Sequence, residues 1–173
     1  LKSITNTLWN VRSTRTFTDE PVTKEELGKI LQAALLAPTS MNRKPCNFMV
    51  VNRKETLEEL SKCKDHGADL IANANKAIVV LADTMIADTW CEDSSIALTY
   101  MHLMATELDL GSCWVQVHLR NRDGKNSEEI VRDILKVDSH YRIVGILAIG
   151  HSDDIPEPHN IGDIDKNKIH FLV

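Results

Sequence analysis

Between Lys76 and Arg120 the chain carries no lysine or arginine, and that stretch constrains the fold more than any other. It opens on Ala77-Ile78-Val79-Val80-Leu81-Ala82, an uninterrupted apolar run that suits a strand covered on both faces. From Asp93 to Leu110 the spacing predicts a long helix. Ile96, Ala97, Leu98, Tyr100, Met101, Leu103, Met104 and Leu108 occupy almost every face of it. A chain of 173 residues can build one domain with a proper core, but it has little room to enclose such a helix completely. Two solutions remain: an ordinary core helix in a monomer, or a helix with one face on the sheet and another on a second subunit. The second accounts for the apolar residues on the outer face.

The remaining pattern fills in around that centre. Ile4, Leu8 and Trp9 fall at helical spacing over residues 3–10, with Ser3 or Thr5 as cap candidates. Thr23-Lys24-Glu25-Glu26 fits a capping box. The helix after it should bury Leu27, Ile30, Leu31, Ala34 and Leu35, and Pro38 stops it. Strands are expected near 48–52, 114–117 and 143–149. Short helices are expected over 54–62, with Leu57 and Leu60 facing in, and after the Asn126 cap, carrying Ile130, Ile134 and Leu135. Gly111 reads as the terminator of the long helix. The whole chain, 1–173, reads as a single domain with an extended tail from about 152, polar except for Ile169-His170-Phe171-Leu172 at its end.

Several chemistries find no support. The net charge of -5 and the lack of a basic stripe argue against a nucleic-acid surface. Cys46, Cys63, Cys91 and Cys113 show no CxxC spacing, and the histidines show no HExxH, so a metal site is not indicated. There is no G-x-G-x-x-G, no G-x-x-x-x-G-K-[ST], and no Ser-His-Asp or Cys-His set. Cys113, beside Trp114 in an apolar context, reads as inert. No leader pattern opens the chain, which begins at Leu1, and no apolar run reaches the roughly 20 residues of a membrane span. Four unpaired cysteines fit a reducing cytoplasm.

Two polar stretches stand out. After the second helix comes Pro38-Thr39-Ser40-Met41-Asn42-Arg43-Lys44-Pro45, a loop exposing hydroxyl, amide and cationic groups between a helix and a strand. Composition alone favours a plain solvated connector there. Near the N-terminus, Arg12-Ser13-Thr14-Arg15 offers two cations that suit an anion or a carbonyl-rich ring, or simple pairing with Asp19 and Glu20. Together the two stretches supply what is needed to hold a phosphorylated cofactor that performs the chemistry itself.

The spacing of these motifs resembles the nitroreductase family of flavin enzymes. That family has an Arg-Ser-x-Arg/Lys motif near the N-terminus and then a Pro-Ser-x-x-Asn-x-Gln-Pro loop. The likeness continues at Leu110-Gly111-Ser112-Cys113-Trp114 and at Val144 to Gly150, so it spans nearly the whole chain. It implies an α+β fold, a dimeric three-layer α/β/α sandwich on a central, mainly antiparallel sheet. It implies FMN at a homodimer interface, with NADH or NADPH as donor. Arg12 and Ser13 would contact the phosphate and ribityl chain, and Arg15 the pyrimidine edge. Pro38, Thr39, Ser40, Met41 and Asn42 would come from the other subunit. Cys113 and Trp114 would lie near the ring, and Gly150 and His151 near the phosphate.

The activity so implied is ping-pong transfer of electrons from NAD(P)H through flavin to an electron-poor acceptor such as a nitroaromatic or quinone. A flavin-binding redox sensor or carrier without efficient turnover is the alternative, and a cofactor-free structural module a third. The chain departs from the family at three places. Val11-Arg12 replaces two successive basic residues, and Lys44-Pro45-Cys46 replaces Gln-Pro-Trp. The region Asp163-Ile164-Asp165 lacks the family's basic residues, with Lys166 and Lys168 out of step. Either flavin affinity is therefore expected to be reduced, or the phosphate to be held differently.

Overall fold

In the computed structural model, which describes residues 3–172, the elements run as follows. Helices α1 (Ile4–Asn10) and α2 (Lys24–Leu36) precede strand β1 (Cys46–Val51), helix α3 (Lys54–Leu60) and strand β2 (Lys76–Asp83). The long helix α4 (Trp90–Glu107) leads into β3 (Gly111–Gln116) and the small hairpin β4 (Asn121–Arg122) and β5 (Lys125–Asn126). Helix α5 (Ser127–Leu135), β6 (Tyr141–Arg142) and β7 (Gly145–Gly150) complete the body.

The main sheet has the order β1-β2-β7-β3, with β6 added to the end of β2. Every pairing between these strands is antiparallel. The apolar run of β2 is covered on both faces, as its sequence requires. Ala77, Val79 and Leu81 pack with Leu57, Leu60 and Val131 of α3 and α5. Ile78 and Val80 point the other way, to Ile30 of α2 and to Leu98 and Met101 of α4. Each of these larger side chains contributes about 1.5–3 kcal/mol by leaving water. The result is the expected α+β sandwich of two helical layers about one sheet.

Local sequence explains the helix ends. Ser3 caps α1 through the Asn6 amide. Thr23 and Glu26 form the reciprocal capping box of α2, and Asn126 caps α5. Helix α4 corrects two expectations. It spans Trp90–Glu107, three residues earlier than its apolar pattern suggests, with Asp93 and Ser94 buried near its start. And Gly111 does not end it. The Leu110 amide bonds to the Ala105 carbonyl at 2.9 Å and the Asp109 amide to Thr106 at 3.2 Å, with Asp109 at φ 59°, a left-handed cap that stops the helix before the glycine.

Gly111 has a different use. The segment after α1 runs along the outer edge of β3, where Ser13 forms a parallel bridge with Ser112 and the Thr14 amide donates to the Ser112 carbonyl at 2.9 Å. A Cβ on Gly111 would stand 2.7 Å from the Thr14 methyl. Only glycine lets the two strands approach there.

One surface stays open. Ile4, Leu8, Leu35 and Leu36 are more than half exposed and Tyr100 39%, although Leu35 was expected inside the core. Ile4 and Tyr100 line a groove of about 470 Å³ between α1, α2 and α4, floored by Ala33, Leu103 and Met104. Residues 157–172 of the tail are exposed throughout. No described helix is long and apolar enough to cross a membrane.

Candidate functional site

The sequence-selected residues gather in two places. The first lies where the segment after α1 meets the start of β3. Ser13 and Arg15 sit beside Cys113 there, and among the described residues the Arg15 Nη1 donates to the Ser13 carbonyl, at 3.4 Å. Arg12 donates to the Glu157 carbonyl of the tail. Gly150 pairs with Gly111 across the sheet, and a Cβ on it would strike the Phe17 ring at 2.9 Å. Trp114 follows on β3, its Nε1 donating to Gln116 Oε1 at 3.0 Å.

Burial raises the Cys113 thiol pKa, opposed by the charges of Arg15 and Lys64 and a bond from Ser13. The thiol is therefore protonated and inert near neutral pH, as its sequence context suggested. Lys64, which the sequence did not single out, faces this same corner. Burial lowers its ammonium pKa, and its charge, like that of Arg15, acts on the Cys113 thiol. No local pattern could have found it, since it lies on the irregular segment after α3.

His151 is turned elsewhere. Its main-chain carbonyl accepts from the Thr18 amide at 2.9 Å, while Nε2 lies 3.8 Å from Glu26 and 3.9 Å from Glu20.

The second place is the loop between α2 and β1. Ser40–Asn42 forms a single 3-10 turn. Met41, Asn42 and Lys44 take φ of 52°, 55° and 52°, each a left-handed conformation costing about 1–3 kcal/mol in a residue other than glycine. The loop is held by the Asn42 amide on the Thr39 carbonyl at 3.0 Å and the Lys44 amide on Thr39 Oγ1 at 3.0 Å. It is also held by the Ser40 amide on Asp93 Oδ1 at 3.0 Å. Pro38, Met41 and Asn42 remain exposed, Met41 by 79%.

These two places do not meet within the chain. The loop enters β1 at Cys46, paired with Ala82. The Ser13 segment lies at the far edge and the far end of the sheet, where Gly111 pairs with Gly150. Helix α4 connects them: its first turn holds the loop, and its last delivers the chain to Gly111. Eighteen residues of helix separate the two by about 27 Å.

Comparison with known proteins decides the family. The nitroreductase family model matches residues 10–63 and 57–151. The chain belongs to the nitroreductase family. A curated nitroreductase relative from Archaeoglobus fulgidus, provisionally named an NADH dehydrogenase/NAD(P)H nitroreductase, is 30% identical over 94% of each chain. Among solved structures, an FMN-dependent nitroreductase from Clostridium difficile R20291 superposes with a TM-score of 0.93. It is 44% identical, over 95% of this chain and 96% of that one. A protein from Parabacteroides distasonis, again provisionally an NADH dehydrogenase/NAD(P)H nitroreductase, gives 0.89 at 28% identity over 97% and 96%.

The donor set in this nitroreductase fits a flavin mononucleotide in its chemistry. One corner offers fixed cations with a hydroxyl, and the other offers neutral donors on a strained, exposed loop. No group of side chains among the described residues is arranged to hold a metal ion.

Elsewhere Glu128, which follows the Asn126 cap, carries no signal of its role in the local sequence. Its carboxylate accepts from Arg142 Nε at 2.8 Å and Nη2 at 2.9 Å, and from the Ile143 amide at 3.0 Å. It also lies 2.7 Å from His118 Nδ1. Burial would raise its pKa, but these bonds bring it down to about 2. The Arg142 guanidinium in turn stacks 4.3 Å over Trp90, at the opening of α4.

Proposed function

We propose that this chain is one FMN-binding domain, 1–173 with its tail from about 152, working as a cytoplasmic homodimer and an NAD(P)H-dependent oxidoreductase. The observation that carries this is the placement of two half-sites at opposite ends of α4, beside an apolar face that the chain leaves uncovered. Two copies related by a twofold axis would bury that face symmetrically. With their α4 helices antiparallel, the Ser40 loop of one would meet the Ser13 corner of the other. The named FMN dependence of the 44% identical relative supports the choice of cofactor.

In this reading Arg12 and Ser13 hold the phosphate and ribityl chain, and Arg15 gives a fixed cation to the pyrimidine edge. Cys113 and Trp114 line the ring and Gly150 admits the phosphate end, with His151 contributing only its main chain. Pro38, Thr39, Ser40, Met41 and Asn42 close the site from the partner. Bound FMN would supply the electron chemistry, taking electrons from NADH or NADPH and passing them in ping-pong fashion to an electron-poor acceptor such as a nitroaromatic or quinone. The protein binds, orients and stabilises charge, and Cys113, buried and protonated, takes no part in the chemistry.

The alternative, a flavin-binding sensor or carrier without efficient turnover, draws on one observation. Lys166 and Lys168 sit on an exposed turn of the tail, a looser support for a phosphate than cations held in the body of the fold. An absorbance titration of the purified protein with FMN, followed by NADH and NADPH oxidation with a nitroaromatic or quinone, separates the readings. Tight FMN binding with multiple turnovers supports the enzyme; tight binding without turnover supports the carrier; no binding overturns both.

A further inference from the structure

Asp93 and Glu128 are the buried carboxylates among the described residues, each 2% exposed, and they are treated very differently. Glu128 is neutralised by Arg142. Among the described residues no cation pairs with Asp93. Its Oδ1 accepts from the Ser40 amide at 3.0 Å and its Oδ2 from Thr89 Oγ1 at 3.0 Å, both neutral donors. Burying a charge on neutral partners alone is costly. The helix dipole at the first turn of α4 offsets part of that cost; the bond to Ser40 is what the carboxylate adds beyond the helix.

The bond it makes lies at the root of the strained loop. Ser40 is followed directly by Met41 and Asn42 at φ 52° and 55°. A methionine rarely enters that region unless its surroundings fix it. Asp93 is rigid: it sits in the first turn of α4, and the next residue, Ser94, is fully buried, its Oγ on the Trp90 carbonyl at 2.7 Å. The carboxylate thus ties the loop to the first turn of α4, whose Leu98, Met101 and Ala105 are buried against the sheet.

We propose that Asp93 is a positioning residue for the flavin site, holding the Ser40 amide so that Met41 and Asn42 keep their left-handed conformation and face the cofactor. This rests on the proposed FMN function. Asp93 touches no cofactor itself; it acts through Ser40. Its role is to pre-form the loop, so that ordering it does not subtract from binding.

The test compares FMN affinity in the dimer across four proteins. Asp93→Ala should weaken FMN binding at least tenfold. Asp93→Asn keeps an acceptor for the Ser40 amide and should stay within threefold of the unaltered chain. Val131→Ala, in the core of the opposite sheet face, should lower the melting temperature comparably and leave FMN affinity unchanged. Adding Met41→Gly to Asp93→Ala should recover at least threefold, because glycine takes a positive φ without steric cost.

Unchanged affinity in Asp93→Ala, or equal losses in Asp93→Ala and Val131→Ala, would overturn the proposal. A measurement on the unaltered chain needs no variant. The Ser40 amide should exchange with solvent at least a hundredfold more slowly than the exposed amide of Met41, and equal rates would overturn it as well. If the unaltered chain binds no FMN, the function itself is wrong; if it binds and the variants do not differ, only the role of Asp93 is.

Discussion

Glu128 and Arg15 both carry charge beside the sheet, but their surroundings differ. Glu128 is enclosed by Arg142, His118 and the Ile143 amide, every bond at 3.0 Å or less. Arg142 is itself stacked on Trp90, whose ring meets His118 edge-on at 5.0 Å. That network is complete within one chain. Among the described residues Arg15 donates to the Ser13 carbonyl at 3.4 Å, and Asn42, near the other end of α4, is exposed on a strained loop. The closed network locks α5, β6 and the start of α4 together. The open groups are costly to hold in place and satisfy little in the isolated chain, which is how groups kept for a ligand or a partner look.

The largest expected effect breaks the closed network. Glu128→Ala leaves Arg142 and His118 without their acceptor and should cost about 3–5 kcal/mol of stability, as removing one partner of a buried ion pair does. Urea denaturation measures it, and FMN affinity of the folded variant should hardly change. The same carboxylate sets an acid limit. Its folded pKa of about 2 lies below the ordinary 4.5, so its stabilisation is present above pH 4.5 and is lost as pH falls from 4.5 toward 2. A shift of that size corresponds to roughly 3 kcal/mol. Glu128→Gln should flatten the acid limb of a stability–pH curve.

Next comes the uncovered face. Leu103→Asp places a charge in the groove floored by Leu103 and Met104, and should weaken association by about 2–4 kcal/mol, the scale of an interface hot spot. Sedimentation should show monomers that have also lost FMN. A monomer that keeps full FMN affinity would mean each site lies in one chain. Smaller again is Arg15→Ala, which should weaken FMN binding by about 1.5–3 kcal/mol, the worth of a hydrogen bond to a charged group, with the melting curve nearly unmoved. Cys113→Ala should change FMN binding and turnover least, by about 0.5 kcal/mol or less for a protonated thiol that donates nothing to the chemistry.

Local signals made much of the fold readable. The Thr23 box, the Asn126 cap and the unbroken run at Ala77–Ala82 each act over a few residues, so the chain states them directly. Gly111 misled because a glycine after a helix has two uses, and only the packing of Thr14 against it tells which applies. Leu35 misled because apolar periodicity reports a face that is buried somewhere, without saying against what. The site was legible as two motifs, Arg12–Arg15 and Pro38–Asn42, through short-range pattern and family likeness. Their separation along α4 was not, since it depends on strand order. Glu128, Asp93 and Lys64 were invisible for the same reason: their partners lie 10 to 53 residues away or come from irregular backbone.

The central claim is that each site takes one half from each chain, and a mixed dimer tests it most directly. Arg15→Glu spoils one half-site; Asn42→Pro spoils the other, because proline cannot adopt φ 55°. Neither homodimer should bind FMN tightly. The heterodimer, isolated through two different affinity tags, joins the intact Arg15 of one chain to the intact Asn42 of the other at one of its two sites. It should therefore bind one FMN per dimer with unaltered affinity. A heterodimer with no tight site would contradict the account and place both halves in the same chain.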